Sequence, residues 1–134
     1  MIVFVDTSAW IALLTRNDHY HAAGLAIQSR LKNERAGLLT SDYIVDETVT
    51  WLRYRVGHAA AVMFWETTLR SELIEVAPID QELLGVAWDI FKKYTDQEFS
   101  LTDCTSFALM RARSISRVFT FDKHFIVMGF QVEV

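Results

Sequence analysis

Two aspartates follow predicted strands, at positions where a parallel sheet binds its ligands. Asp6 comes directly after the apolar run at residues 1–5, and Asp122 comes directly after residues 118–121. Ligands of open parallel sheets bind beyond the carboxyl ends of the strands, so both carboxylates are expected at one edge, available for chemistry. Each has a simpler explanation as well, because an aspartate at a helix start is stabilised by free N–H groups and by the helix dipole.

A third aspartate heads an apolar helix face. Asp103, Phe107 and Met110 are spaced at i, i+4 and i+7 and therefore share one face of a helix. The alternative is a capping box, in which Ser100 begins the helix and Asp103 is its third residue. The residues alone leave both interpretations open.

Two further acids, Asp46 and Glu47, lie on a predicted helix at opposite margins of its buried stripe. Helical periodicity does not choose between them, and both could be solvated surface charges. The stripe that they flank consists of Ile44, Val45, Thr48, Trp51 and Leu52.

Alternating strands and helices position these acids. The predicted strands are residues 1–5, 37–40, 73–77, 118–121 and 130–134. The predicted helices are residues 9–14, 21–33, 42–56, 58–71, 80–94 and about 100–114, followed by a short helix capped by Asp122. Parallel strands need crossover connections, so this alternation predicts the α/β class, with a mostly parallel sheet covered on both faces.

The length of 134 residues and the absence of a linker or repeat predict a single domain over residues 1–134. Cys104 is the only cysteine, which excludes an internal disulfide and is typical of a reducing cytoplasm. No apolar run approaches the roughly 20 residues that span a bilayer, and the N-terminus lacks the features of a signal peptide. We therefore expect a cytoplasmic protein that does not bind membranes.

Four segments resemble those of PIN-domain nucleases, a family that includes the VapC-type toxins of bacterial toxin–antitoxin pairs. Residues 3–14, Val-Phe-Val-Asp-Thr-Ser-Ala-Trp-Ile-Ala-Leu-Leu, are similar to the opening of that domain. Residues 41–48, 101–108 and 119–125 are similar to its second, third and last acidic segments. The four segments occur in the family's order and at family-like spacing across nearly the whole chain.

The resemblance implies a PIN-like three-layer α/β/α fold and a metal-dependent endoribonuclease that leaves a 5′-phosphate product. It selects Glu47 over Asp46 and implies catalytic and metal-binding roles for Asp6, Glu47, Asp103 and Asp122, with Asp6 and Asp103 as the first choice of direct ligands. Carboxylates suit hard cations, so Mg²⁺ or Mn²⁺ is the expected cofactor. Some relatives carry a further acid where this chain has Ser106, whose hydroxyl could hold a metal-bound water. The hydroxyls expected to orient the carboxylates or water are those of Thr7, Ser8, Ser106 and Thr120.

The charge balance neither favours nor excludes an RNA substrate. The net charge is −4, but if four of the 17 acids form one metal site, the remaining 13 balance the 13 basic residues. RNA contacts are expected from basic residues near the site, with stacking on Tyr20 or Tyr43 as a further possibility. The basic candidates are Arg16, Arg53, Arg111 and Lys123.

Protein partners are expected as well. The resemblance implies a cognate antitoxin and a homodimer. In the helix predicted at residues 58–71, Val62, Trp65 and Leu69 share a face that can point to the core, whereas Phe64 points well away from it. With Met63, Phe64 could form an exposed interface patch, unless another helix of the same chain covers it.

Two rival functions follow from the same acids. A phosphatase with a strand-end aspartate nucleophile would carry Asp-x-Asp, but Ser8 occupies the second position. A PIN-like module that only binds RNA or protein would gain nothing from clustered carboxylates that repel one another. The histidines do not indicate a ligand cluster: His19 and His21 are interpreted as surface residues, and no partner is evident for His58 or His124.

Overall fold

Five short strands alternate with seven helices in the computed structural model, which describes residues 1–134. The strands are β1 (Ile2–Val5), β2 (Gly37–Ser41), β3 (Ile74–Ala77), β4 (Arg117–Phe119) and β5 (Gln131–Val132). The helices are α1 (Thr7–Leu14), α2 (His21–Asn33), α3 (Asp42–Arg55), α4 (His58–Arg70), α5 (Gln81–Lys93), α6 (Leu101–Ala112) and α7 (His124–Val127). None of these helices combines the length and the apolar character that crossing a membrane requires.

All five strands are parallel and form one sheet in the order β3-β2-β1-β4-β5. The helices flank this sheet, so the predicted α/β/α architecture is confirmed. The central strand β1 is completely buried at Val3, Phe4 and Val5, as expected for an apolar run covered on both faces. Because β1 pairs with β2 on one side and β4 on the other, the residues that follow these strands meet at one edge of the sheet.

The predicted element bounds agree with the structure to within a few residues, with one difference that bears on the site. We expected Asp122 to end a strand and to cap a short helix, but β4 already ends at Phe119 and α7 begins at His124, with Lys123 in the N-cap position. Asp122 lies in the turn between them, where its Oδ1 accepts a hydrogen bond from the backbone N–H of His124 at 2.9 Å. Asp122 thus lies outside β4 and one residue before the N-cap position, but its carboxylate still accepts from the first N–H of α7, as a cap would.

Phe64 is part of the core, and the predicted exposed patch around it is wrong. Only 4% of Phe64 is exposed, and its ring packs edge-on against Trp10 with centroids 5.5 Å apart. Ala61 and Thr68 share this buried face. Leu69, which periodicity assigned to the core, is exposed. Helix α4 is apolar on several sides, so its sequence pattern could not show which side α1 covers.

Candidate metal centre

Asp6 lies at the carboxyl end of the central strand and is nearly inaccessible to solvent. It occupies the N-cap position of α1, but its side chain makes no capping hydrogen bond. Its Oδ2 instead accepts hydrogen bonds from the hydroxyls of Thr120, at 2.8 Å, and Ser8, at 3.0 Å. The alternative role as a simple helix cap therefore does not describe this carboxylate, which is held by hydroxyls from the first turn of α1 and from the turn after β4.

The two hydroxyls also fix the turn that carries Asp122. Ser8 Oγ accepts from the backbone N–H of Phe121 at 2.9 Å, and Thr120 Oγ1 accepts from that of Asp122 at 3.0 Å. The oxygens of Ser8 and Thr120 are themselves 3.0 Å apart. This hydroxyl bridge joins the ends of two neighbouring strands and so sets the position of Asp122 relative to Asp6.

Burial makes the ionised form of Asp6 costly. It raises the pKa of Asp6 to about 6, because the carboxylate loses most of its hydration. The hydrogen bonds from Thr120 and Ser8 oppose this rise, and the negative charge of Asp103 adds to it. A divalent cation beside these carboxylates would remove the repulsion, since its positive charge favours their ionised forms.

Asp103 combines both roles that the sequence left open. It completes the capping box of α6: its backbone N–H donates to Ser100 Oγ at 2.9 Å, and its Oδ2 accepts from the Ser100 backbone N–H at 3.0 Å. The same Oδ2 lies 3.1 Å from His124 Nδ1. Burial raises the pKa of Asp103, and the charge of Asp122 raises it further. The cap thus fixes a carboxylate that faces other acids.

Glu47 lies on the second turn of α3, on the side of the acidic cluster. Ser41, the last residue of β2, is the N-cap of this helix. Glu47 is more exposed than Asp6. Loss of hydration raises the pKa of Glu47, and the charges of Asp103 and Asp122 contribute to the rise. Periodicity could not choose between Asp46 and Glu47. In the structure, Glu47 lies close enough to Asp103 and Asp122 for their charges to raise its pKa.

A buried hydroxyl beside Glu47 has no hydrogen-bond partner. Thr7 is 6% exposed, and its Oγ1 makes no hydrogen bond of ordinary geometry, although the hydroxyl lies near enough to Glu47 to oppose the rise of that residue's pKa. Leaving a buried hydroxyl unpaired costs about 1–3 kcal/mol. A buried hydroxyl oxygen without a donor, beside the Glu47 carboxylate, fits a site that holds a hydrated cation, because the waters that such ions retain donate hydrogen bonds.

The sequence analysis missed His124. Its Nδ1 lies 3.1 Å from Asp103 Oδ2 and 3.3 Å from Asp122 Oδ1, and one ligand atom from each of the three side chains lies within 4.8 Å of the others. The sequence signal for this contact was the spacing of two residues between Asp122 and His124, because a turn at this point brings both side chains to the same side of the chain. Another histidine was also misjudged: His21 is half-buried, with Nδ1 2.6 Å from the Ala12 carbonyl.

The other predicted residues lie at different distances from the acids. Lys123 is exposed between Asp122 and His124, whereas Arg111 is eight residues after Asp103, about 12 Å along α6. Arg111 packs over the Phe130 ring, 5.8 Å from its centroid. Arg16 and Arg53 are exposed, on the loop after α1 and on α3. Ser106 is buried, and its hydroxyl donates to the Thr102 carbonyl at 3.2 Å.

Comparisons with known proteins agree with this geometry. The PIN domain matches residues 3–131 of the chain. The 23S rRNA-specific endonuclease VapC20 of Mycobacterium tuberculosis is 35% identical over 133 residues, which cover 99% of this chain and 98% of that protein. A VapC ribonuclease of Archaeoglobus fulgidus is 28% identical over 108 residues, covering 79% of this chain and 68% of that protein.

Solved structures show the same fold. The crystal structure of Mycobacterium tuberculosis VapC20, described as a Sarcin-Ricin loop cleaving toxin, superposes with a TM-score of 0.86 and 34% identity, covering 97% of this chain and 96% of that chain. FitAcB from Neisseria gonorrhoeae shares the fold, with a TM-score of 0.72 and 19% identity over 100% of this chain and 97% of that chain.

Proposed function

Because the chain belongs to the PIN-domain family, we propose that it is a divalent-metal-dependent endoribonuclease and the toxin component of a toxin–antitoxin pair. The observation that carries the proposal is that the charges of Asp6, Glu47, Asp103 and Asp122 act on one another, and that Asp103, Asp122 and His124 offer ligand atoms within 4.8 Å of one another. Burial and mutual repulsion raise the pKa of the first three of these acids. A protein maintains such repulsion at a cost, and a bound cation would offset that cost.

The four carboxylates would hold one or two Mg²⁺ or Mn²⁺ ions, with Asp6 and Asp103 as direct ligands and Glu47 and Asp122 acting directly or through water. Oxygen donors suit both ions. A bound divalent ion would polarise the phosphate and activate the attacking water. Every donor of this set except the His124 imidazole is an oxygen, the ligand atom that both ions prefer.

The chain's own residues would orient the reactants. Ser8 and Thr120 hold the Asp6 carboxylate in one rotamer, and the capping box does the same for Asp103. Glu47 is the more exposed acid and could accept a proton from the attacking water. Hydrolysis would form a bond from that water to phosphorus and break the bond to the 3′ oxygen, leaving a 5′-phosphate and a 3′-hydroxyl. Lys123, exposed between Asp122 and His124, would contact the RNA backbone.

Ribosomal RNA is the first substrate to test. VapC20, at 35% identity along its whole length, is named as a 23S rRNA-specific endonuclease. We propose the same substrate class for this chain, with cleavage in a loop or single-stranded segment, because unpaired nucleotides can reach acids at the edge of a sheet.

We also propose a cognate antitoxin and self-association as a homodimer. The exposed apolar residues that a protein partner could cover include Leu69 and Met63 on α4 and Trp88 and Phe91 on α5. Light scattering of the wild type, alone and with the product of the neighbouring gene, tests both parts. A monomer that also fails to bind the neighbouring product would contradict this proposal while leaving the nuclease proposal intact.

The nuclease assay uses purified protein, ribosomal RNA and Mg²⁺ or Mn²⁺. We expect cleavage that chelation abolishes, and we expect Asp6→Asn and Asp103→Asn to lose it. Asp89→Asn is the matched control, since Asp89 is an exposed acid of α5 that pairs only with Lys92. Full activity in both site variants would show that the acids are not the active site. RNA binding without cleavage by the wild type would favour the inactive binding module.

A further inference from the structure

A groove of about 440 Å³ opens beside Glu47, on the surface between α3 and the first turn of α6. Glu47 and Thr102 line the end nearest the acids. The rest is lined by Asp46, Thr50, Trp51, Tyr54 and Arg55, so the groove holds a second carboxylate beside the rings and the cation. Its volume falls in the range of small-ligand sites. The groove is thus continuous with the candidate metal centre but contains different chemistry, with two aromatic rings and a cation.

The lining residues repeat along α3 in a way that extends the site. Glu47, Trp51 and Arg55 follow one another at intervals of four residues, so they form one stripe on the helix, with successive members about 6 Å apart along its axis. An acid of the cluster, an aromatic ring and a cation therefore follow in that order. A polymer that enters the centre at Glu47 and continues along the stripe would pass each in turn.

The aromatic side chains are available to a ligand. Tyr54 is 81% exposed, which is unusual for so large a side chain, and Trp51 is half-buried with its inner part packed against the core. The Arg55 guanidinium lies 6.0 Å from the centroid of the Trp51 ring. Arg55 takes part in none of the salt bridges of the structure, so its charge is free for an anionic ligand.

We propose that this groove is a subsite for one unpaired nucleotide next to the cleaved phosphodiester, whose base stacks on Tyr54 and Trp51 and whose phosphate binds Arg55. The inference rests on the proposed ribonuclease function and names the part of the substrate that the groove selects. Bases of single strands and loops stack on aromatic rings and on guanidinium planes, and they are recognised where they are unstacked from their own strand. A base held in a duplex could not enter the groove.

The test compares the natural RNA with a series of RNAs, each of which lacks one base. The site cleaved by the wild type is first mapped, and RNAs are then made with an abasic nucleotide at each position flanking it. Binding is measured by fluorescence anisotropy with Ca²⁺ in place of Mg²⁺, and single-turnover cleavage is measured with Mg²⁺. For the natural RNA, Tyr54→Ala should raise the dissociation constant roughly 5-fold to 150-fold, the range of one base–aromatic stack.

The abasic RNAs identify the base concerned. At one flanking position, the wild type should lose at least as much affinity as Tyr54→Ala loses on the natural RNA, because the missing base also leaves Trp51. On that abasic RNA, Tyr54→Ala should bind as the wild type does. Arg55→Gln should weaken all the RNAs about equally and reduce the salt dependence by about one phosphate contact. Tyr54→Phe should retain wild-type affinity. Leu25→Ala, which alters an exposed apolar residue of α2 outside the groove, is the control that should change nothing.

Three outcomes decide between the hypotheses. If Tyr54→Ala matches the wild type on the natural RNA, or loses the same factor on every abasic RNA, the subsite is refuted although the nuclease stands. If the wild type neither binds nor cleaves any RNA with metal, the proposed function fails and the subsite with it. Since Tyr54 is exposed, its variants should melt at the wild-type temperature, which separates a lost contact from a lost fold.

Discussion

The Nδ1 of His124 lies 3.1 Å from Oδ2 of Asp103, although the two residues are 21 positions apart. Asp103 is fixed by the capping box of α6, and His124 begins α7, so the contact joins the starts of two helices at the acidic edge of the sheet. Asp122 Oδ1 is 3.3 Å from the same nitrogen. One imidazole therefore contacts two of the four predicted acids and holds their relative positions.

Loss of this imidazole should weaken metal binding more than it weakens the fold. His124→Ala removes a group that orients two carboxylates, and such outer contacts are typically worth 10- to 100-fold in metal affinity. We expect a loss of that size in calorimetric titration with Mn²⁺. His124→Asn, which retains a donor near the Nδ1 position, should recover part of it. His58→Ala is the exposed control, and equal affinities for all four proteins would show that His124 plays no part.

The stability of the metal-free protein should fall as the pH rises through the titration of Asp6. The folded pKa is about 6 and the unfolded value is 3.8, so the folded state binds the proton more tightly. Stability is fully present below pH 4 and is lost as the pH rises through about 6, by about 3 kcal/mol at about 1.4 kcal/mol per pH unit. Asp6→Asn should lack this loss. Denaturant titrations in EDTA from pH 3.5 to 8 measure it, and a pH-independent difference between the proteins would contradict it.

Divalent cations should stabilise the fold at neutral pH. At about 100 times its dissociation constant, Mg²⁺ adds about 2.7 kcal/mol to the free energy of unfolding, which corresponds to roughly 5–15 °C in melting temperature for a chain of this size. Asp103→Asn should melt higher than the wild type without metal, because one repelling charge is gone, and should respond less to Mg²⁺. Asp89→Asn should respond as the wild type does. A melting temperature that does not change with Mg²⁺ would show that the acids do not bind the ion.

The hydroxyl of Thr120 should matter for activity beyond its contribution to stability. Thr120→Val keeps the shape but removes the donor to Asp6 and the acceptor of the Asp122 N–H. We expect cleavage to fall 10- to 100-fold, with Thr120→Ser restoring most of it. Comparison of single-turnover rates at equal folded fractions separates positioning from unfolding. If Thr120→Ser is as slow as Thr120→Val, the hydroxyl is not the cause.

Phe64 should behave as a core residue. Because it is buried against Trp10, Phe64→Ala should lower the free energy of unfolding by about 3–5 kcal/mol, through lost burial and a cavity. Met63, its neighbour, is 69% exposed, so Met63→Ala should change stability by less than about 0.5 kcal/mol. Urea titration of both variants checks the difference, and similar values for the two would contradict the packing described for α4.

Local sequence patterns were sufficient for the sheet and for Asp6. The run Val3-Phe4-Val5 predicted a strand buried on both faces, and the residue after it could lie only at the carboxyl edge. The resemblance to PIN domains chose Glu47 over Asp46, which helical periodicity alone could not do. The charges of Asp103 and Asp122 act on Glu47 in the structure, which gives a physical reason for that choice.

Two features required the tertiary structure. The contact between His124 and Asp103 depends on how α7 and α6 meet, and no spacing along the chain encodes that meeting. The buried side of α4 depends on where α1 presents Trp10, because Phe64 and Leu69 are both apolar and only one of them can face inward. The sequence of a helix that is apolar on several sides does not show which side faces the core.

The hydroxyl bridge between Ser8 and Thr120 also determines when the centre can exist during synthesis. Asp6 leaves the ribosome early, but its partner Thr120 lies 114 residues further along the chain. Contacts between residues so far apart in sequence form only after the intervening chain has been ordered, because the chain must lose the entropy of a long loop before these contacts can stabilise it. A nascent chain that ends before Thr120 holds an unsupported Asp6 and lacks Asp122. The growing polypeptide therefore lacks a complete acidic centre until residues 120–122 have been made and the sheet has formed.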